Sequence, residues 1–263
     1  MNDYVVDNIF FSCAEVTQRS EEHFVPEHGL AHIYSGEIRV VDASGEYGFN
    51  PGQSVLFSRN RLAKVTKHAA ADAPFRMVTI LFRQDFLAGY YATHKPAAAA
   101  RKDVLTFGGS PLLDSLFQSL LPYEALQDPL PAELTRLKLA EAVTILRTLN
   151  PAADAILSDF SEPGKIDLAD FMHRNFSFNI PLERFAYLTG RSLATFKRDF
   201  QKSFRMPPQK WLLERRLKEA HYLIAEKKLR PSDAYIEVGF ENLSHFSFAF
   251  KQQYGYNASE LTR

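Results

Sequence analysis

Hydrophobic and polar positions follow two different periods along this chain. Before Gln84, short runs of apolar and β-branched residues alternate with turn residues, a pattern typical of strands. The clearest runs are 30–34, 37–42, 54–58 and 75–82. Many short strands at this spacing predict a small antiparallel barrel or sandwich.

After Gln84 the apolar positions recur with a helical period. Segments 111–123 and 132–149 are predicted helices. We expect helix 132–149 to pack against the barrel or against the same helix of a second subunit. Residues 161–164 form a short polar linker, which divides the chain into domains 1–160 and 161–263.

One spacing pattern occurs twice after this linker, at about 182–203 and 231–254. In each copy a short helix ends at a glycine, Gly190 or Gly239, and a second helix follows a tight turn. This is the layout of a helix-turn-helix, which places a helix in the DNA major groove. The long helix 209–226 between the copies would fix their relative orientation.

Within each copy the second helix has a buried and an outer face. We expect Ser192 and Ser244 to cap these helices. Paired phenylalanines four residues apart would face inward. The outward residues of the first helix would then be Ala194, Thr195, Lys197, Arg198 and Gln201. Lys197 and Arg198 are best placed to reach DNA, and Lys251 of the second helix to reach a phosphate.

Composition supports two soluble domains in a reducing compartment. The 263 residues are 46% hydrophobic and include 22 Phe and 11 Tyr, which is ample material for a core. No apolar run approaches the roughly 20 residues that cross a bilayer, and the N-terminus lacks a signal-peptide pattern. The single cysteine, Cys13, excludes an intramolecular disulfide and a Cys-rich zinc site. We therefore expect a cytoplasmic protein.

Charge is distributed unequally although the net charge is zero. Residues 161–263 carry 17 Lys/Arg and 12 Asp/Glu, a net charge of +5, whereas residues 1–160 carry 14 and 19, a net charge of −5. A cationic C-terminal part fits nucleic-acid binding, which depends on neutralising phosphates.

The C-terminal part, roughly residues 165–263, resembles the AraC/XylS family of bacterial transcription regulators. The resemblance covers both helix pairs and the helix between them. It rests on Ser192, Phe196, Arg198, Phe200, Arg216, Leu217, Ala220, Gly239, Phe240, Ser244, His245, Phe246, Ser247, Phe250, Lys251, Tyr254 and Gly255. It implies that base contacts come from the outer face of each second helix.

Carried over by position, the family's base contacts fall on Ala194, Lys197 and Arg198 and on Leu243, Ser244, Ser247 and Phe248. Together with the outward residues named above, they form the predicted DNA-binding set: Ser192, Ala194, Thr195, Lys197, Arg198, Gln201, Leu243, Ser244, Ser247, Phe248 and Lys251.

Two positions depart from the family pattern. Phe248 stands where the family often has Arg or another polar residue, and it would either touch a thymine methyl or simply pack. Residues 257–260 lack the family's proline near the C-terminal end. Because Phe248 cannot make a polar base contact, we expect the first module to supply most base readout. The second module would mainly position the protein.

The resemblance also implies an N-terminal cupin-like barrel followed by dimerising helices. The overall expectation is an α+β protein in which this domain precedes an all-α domain of two helix-turn-helix modules joined by a long helix. The N-terminal domain would sense a small-molecule effector or contact another protein. Tyr34, Phe49, Phe57 and Phe82 are candidates for an effector pocket, although aromatics in a barrel also serve as plain core.

A metal site is a weaker interpretation of the N-terminal histidines. His23, His28 and His32 do not have the His-x-His spacing of cupin enzymes. We predict no metal, cofactor or catalytic residue. The alternative to a transcription regulator is an enzyme, a cupin-type metalloenzyme with a helical accessory domain.

The sequence is thus identified with a DNA-binding transcription regulator, an activator, and not with an enzyme. The expected partners are double-stranded DNA, RNA polymerase, a second copy of the chain and either a small-molecule effector or a regulatory protein, with no membrane.

Overall fold

The computed structural model describes residues 4–6, 8–19, 24–43, 45–98, 103–124 and 131–262. The chain divides into two units, Met1–Ser161 and Glu162–Arg263. The division lies one residue beyond the predicted domain boundary. No helix in the described part of the chain is long and apolar enough to cross a membrane.

The first unit is built on antiparallel strands. In chain order they are β1 (Tyr4–Val6), β2 (Ile9–Ala14), β3 (Gln18–Arg19), β4 (Phe24–Val25), β5 (His28–Ser35), β6 (Glu37–Asp42), β7 (Gly45–Phe49), β8 (Gln53–Phe57), β9 (Arg61–Leu62), β10 (Lys64–His68), β11 (Phe75–Phe82) and β12 (Val104–Gly108). A six-stranded sheet has the order β1-β2-β11-β5-β8-β12, and a four-stranded sheet the order β3-β10-β6-β7. Strands β4 and β9 form a separate pair.

The predicted barrel is not closed among the described strands. The six-stranded sheet is open, with β1 and β12 at its edges. The chain leaves this sheet at Gly36, whose φ of 76° lets β6 turn away from β5 and pair with β7 and β10. A side chain at Gly36 would place its Cβ 2.3 Å from the His68 carbonyl oxygen, so the turn requires glycine.

Helices cover the six-stranded sheet and complete its core. They are α1 (Gln84–Thr93), α2 (Pro111–Gln118), α3 (Leu121–Glu124), α4 (Ala132–Leu149) and α5 (Ala152–Leu157). Leu116, Phe117, Val143 and Leu146 of α2 and α4 are fully buried in one cluster with Leu30 and other strand residues. These helices are therefore part of the N-terminal core.

The predicted helix 132–149 is confirmed with the same bounds, but a single helix over 111–123 is wrong. That segment is divided between α2 and α3. Pro122 lacks an N–H and its ring would clash with the carbonyl of the preceding turn, so α2 cannot continue through it.

A buried carboxylate joins α1, the segment after it, α4 and α5. Asp154 is 1% exposed, its Oδ1 lies 2.8 Å from Arg147 Nε, and the Tyr91 hydroxyl donates to the same oxygen at 2.6 Å. The Ala97 amide donates to Oδ2 at 2.8 Å. Burial and the bond to Asp154 raise the pKa of Tyr91, so the phenol stays a donor. Arg147 also donates to the Lys95 carbonyl at 2.8 Å.

The second unit is helical. Its elements are α6 (Leu168–Asn175), α7 (Leu182–Leu188), α8 (Leu193–Phe204), α9 (Pro208–Ala225), α10 (Pro231–Glu237), α11 (Leu243–Tyr254) and a terminal 3-10 turn (Ala258–Thr262). Helices α7 and α8 form the first predicted module and α10 and α11 the second, with α9 between them.

We predict that Asp154→Ala lowers the free energy of opening of α4 and α5 by about 3 kcal/mol, because it leaves the Arg147 guanidinium without its buried partner. Hydrogen exchange of the α4 and α5 amides in the full chain measures this change. Glu133→Ala, which breaks an exposed ion pair with Arg136 on the same α4, is the control and should leave exchange unchanged. Equal protection in the two variants would contradict a structural role for Asp154.

Candidate nucleic-acid interface

Helices α8 and α11 are copies of one design at an offset of fifty residues. Each contains 12 residues, Leu193–Phe204 and Leu243–Tyr254. Each ends at a residue in the left-handed conformation, Arg205 with φ 57° and Gly255 with φ 83°. Position for position, Lys197 therefore corresponds to Ser247 and Arg198 to Phe248.

The N-caps agree with this register and correct one sequence prediction. Ser192 Oγ accepts from the Thr195 amide at 3.3 Å, as predicted. In α11 the cap is Asn242, whose Oδ1 accepts from the His245 amide at 2.8 Å, so the prediction that Ser244 is the cap is wrong. Ser and Asn cap about equally well, and only the fifty-residue register distinguishes Asn242 from the serine two residues later.

The inner faces of both helices are aromatic and fully buried. Phe196 and Phe200 lie in the first module and Phe246 and Phe250 in the second, each 0% exposed. Trp211 of α9 packs edge-on against Phe200, with ring centroids 5.6 Å apart. The buried phenylalanines hold α8 and α11 each against its own module, and they confirm the predicted inward direction of the phenylalanine pairs.

The outer faces carry the predicted DNA-binding residues. On α8 and its cap, Ser192, Ala194, Lys197, Arg198 and Gln201 are exposed and Thr195 is half-buried. On α11, Leu243, Ser244, Ser247, Phe248 and Lys251 are all exposed. The side chains 194, 197, 198 and 201, and likewise 244, 247, 248 and 251, follow the i, i+3, i+4, i+7 spacing of one helical face. Each set therefore forms one continuous outer surface.

The acidic residue of α8 is neutralised inside the unit. Asp199 Oδ2 accepts from Arg191 Nε at 3.1 Å and lies 3.5 Å from Lys165 Nζ. The bond from Arg191 holds the pKa of the Asp199 carboxyl below its usual range. Arg198 Nε is 3.9 Å from Asp199 Oδ1 and its side chain is 66% exposed, so this guanidinium is available to another anion.

Both tight turns need glycine because backbone from another segment lies against them. A Cβ at Gly190 would be 2.4 Å from the Gly164 carbonyl carbon, and one at Gly239 would be 2.4 Å from the Ser177 carbonyl oxygen. Their φ angles of 65° and 89° are also left-handed. The turn of the second module thus packs directly on the loop that precedes the first.

Arg216 of α9 lies between this loop and the turn of the second module, and its Cζ would be 3.3 Å from a Cβ at Gly239. Its Nε donates to the Phe176 carbonyl and its Nη2 to the Phe178 carbonyl, both at 2.9 Å. Burial lowers the pKa of Arg216 to about 10, partly offset by Glu241, and the guanidinium stays charged at neutral pH. Asn179 Nδ2 also donates to Glu241 Oε1 at 3.0 Å. The loop before the first module is therefore bonded both to α9 and to the second module.

The sequence does not predict the bonds made by Arg216, which enters only through the family resemblance. A charged residue in the middle of a long helix carries no sign of its partners, which are backbone carbonyls about forty positions earlier.

The four candidate effector residues lie in two core clusters. Tyr34 and Phe82 belong to the cluster under the six-stranded sheet, and the Tyr34 hydroxyl donates to the Phe117 carbonyl at 2.8 Å. Phe49 and Phe57 belong to a second cluster with Phe75 and others. A pocket shared by all four stays a prediction.

The N-terminal histidines within the described chain make protein hydrogen bonds. His28 Nδ1 accepts from the Arg59 amide at 3.1 Å. His32 Nδ1 lies 2.8 Å from Ser54 Oγ, and burial lowers the pKa of His32. His23 lies outside the described residues. Groups of three or more His, Cys, Asp or Glu able to hold a metal do not occur among the residues described.

Comparison with known proteins matches both units. Residues 185–263 match the family described as Helix-turn-helix domain, and residues 28–152 match the ExsA N-terminal regulatory domain. The chain is 30% identical over 251 residues to the thermoregulatory protein LcrF of Yersinia pestis, covering 90% of each protein. It is 26% identical over 249 residues to the virulence regulon transcriptional activator VirF of Yersinia enterocolitica, again covering 90% of each.

Among solved structures, apo ToxT from Vibrio cholerae aligns with all of this chain and 98% of its own, at 13% identity and a TM-score of 0.47.

We predict that Gly239→Ala lowers the free energy of unfolding of the second unit by about 2–4 kcal/mol, because it combines a left-handed φ with a backbone clash. Urea unfolding followed by the fluorescence of Trp211, the single tryptophan, reports on this unit. Gly255→Ala is the matched control, since its φ is 83° and nothing lies within 4 Å of its added Cβ. It should lose only about 1–2 kcal/mol, and equal losses would argue against the packed turn.

Proposed function

This chain belongs to the AraC/XylS family of transcriptional regulators, and we propose that it activates transcription by binding a bipartite DNA site through two unequal helix-turn-helix modules. The family membership sets aside the metalloenzyme alternative, because the relatives are regulators.

One observation supports this proposal: α8 and α11 align position for position, but their exposed side chains differ. The first carries Lys197 and Arg198, whereas the second has Ser247 and Phe248 at the same positions. Arg is the commonest bidentate reader of guanine. We therefore assign most polar base readout to α8 and phosphate contact in the second module to Lys251.

For the N-terminal unit we propose the regulatory and dimerising role. Helices α2 and α4 expose Leu112 and Leu137, which are 48% and 54% exposed, on faces turned away from their own core. A second copy of the chain is the proposed partner for these faces. We further propose a cupin-like origin of the sheets, control by a small molecule or a regulatory protein, contact with RNA polymerase and a cytoplasmic location.

Arg198→Ala is expected to lower affinity for the specific site by about 1–3 kcal/mol and to relax sequence preference at one position. Fluorescence anisotropy with the specific duplex and with single-base variants of it measures both effects. Arg174→Ala is the control, because it removes a cation of the same unit that pairs with Asp170 on α6. Unchanged discrimination in Arg198→Ala would show that the reading face has been assigned wrongly.

Lys251→Ala should weaken binding to all duplexes by a similar factor, because a phosphate contact carries no sequence information. The slope of log K against log salt concentration should become shallower by about 0.9. A salt titration with specific and random duplexes tests this expectation. A loss confined to the specific duplex would instead place Lys251 at a base.

A further inference from the structure

Phe248 is exposed in a way that folding of the chain does not explain. Its side chain is 69% exposed, whereas Phe246 and Phe250 on the same helix are completely buried. The alternative that Phe248 simply packs within its own unit is therefore wrong. Burying such a ring against a partner would remove a large apolar surface from water.

The position of Phe248 on α11 favours DNA as the partner that covers its ring. It occupies the place of Arg198 in the fifty-residue register and lies on one face with Ser244, Ser247 and Lys251. Leu243, which is 41% exposed, is at the edge of that face in the first turn. The apolar surface is thus continuous with the proposed DNA-binding residues, and DNA is the occupant that fits it.

The chemistry of the base edges then indicates which base Phe248 would contact. In the major groove, guanine, adenine and cytosine present hydrogen-bonding groups, and only thymine adds a methyl group. A phenyl ring against a polar edge would remove water from donors and acceptors without replacing their hydrogen bonds. A thymine methyl avoids this cost.

We propose that Phe248 is a specificity-determining residue that recognises the 5-methyl group of a thymine in the half-site of the second module. This inference rests on the proposed function and deepens it. The second module then selects sequence through an apolar contact, in addition to positioning the protein through Lys251.

The test removes that methyl group without changing base pairing. The probe is the duplex that the full-length protein enriches most strongly from a random-sequence library. Each thymine of this duplex is replaced in turn by deoxyuracil, and affinity is measured by fluorescence anisotropy. For the unaltered protein we expect one or two replacements to weaken binding by about three- to fivefold, the effect of losing one methyl from an apolar contact.

Variants of the protein test whether this loss of affinity depends on the Phe248 ring. In Phe248→Ala the sensitive replacements should have no further effect, so that the two changes are not additive. In Arg198→Ala the same replacements should keep their full effect. Tyr222→Ala, which removes another exposed aromatic ring from α9 of the same unit, is the control and should respond like the unaltered protein.

The outcomes separate this inference from the proposed function. If the library yields no preferred duplex, sequence-specific binding itself fails. If a duplex is enriched but deoxyuracil has no effect at any position, or has the same effect in Phe248→Ala, the thymine contact is overturned. A protein partner or a second copy would then be the occupant of this surface.

Discussion

The DNA-binding unit depends on the hydrogen bonds of one guanidinium, that of Arg216. It donates to two carbonyls of the loop before the first module, and Gly239 of the second module lies against Ser177 of the same loop. Buried carbonyls that lose a donor are costly, so these two hydrogen bonds favour the observed arrangement of the loop. The positions of both reading helices follow, because each packs on its own module through buried phenylalanines.

A rigid joint of this kind matters for reading DNA at two places. The grooves offered by one face of a duplex repeat about every 34 Å, and two recognition helices bind together only if their separation suits that repeat. Flexible modules would lose ordering entropy on binding. In the proposed function, the contacts of Arg216, Asn179 and the Gly239 turn would reduce that cost by setting the geometry before DNA is bound.

The two modules share their inner faces and differ in their outer faces for a physical reason. Inner positions must fill a core at high density, so Phe recurs at 196, 200, 246 and 250. Outer positions lie at the surface, so packing within the unit does not restrict them. In the N-terminal unit, too, a helix has an inner face that fills the core and an outer face that does not. Helix α4 contributes Val143 and Leu146 to the core, and any contact with a partner must use the opposite side.

Local patterns in the sequence determined a large part of this protein. Helical periodicity was enough to place α4 at 132–149, and the doubled glycine spacing was enough to predict both modules and the exposed faces at Lys197 and Arg198. These features depend on residues near each other in the chain. Pro122 is also a local feature, yet the helical pattern of 111–123 by itself predicts one helix across it.

Only the tertiary structure decided which strands pair, because pairing joins residues far apart in sequence. It divided the strands between separate sheets at Gly36, and it distributed Tyr34, Phe82, Phe49 and Phe57 over two core clusters. It also revealed the Arg216 joint and showed that Phe248 projects from the surface. A phenylalanine reads the same in a sequence whether it is buried or exposed, and its environment is set by the packing of the whole unit.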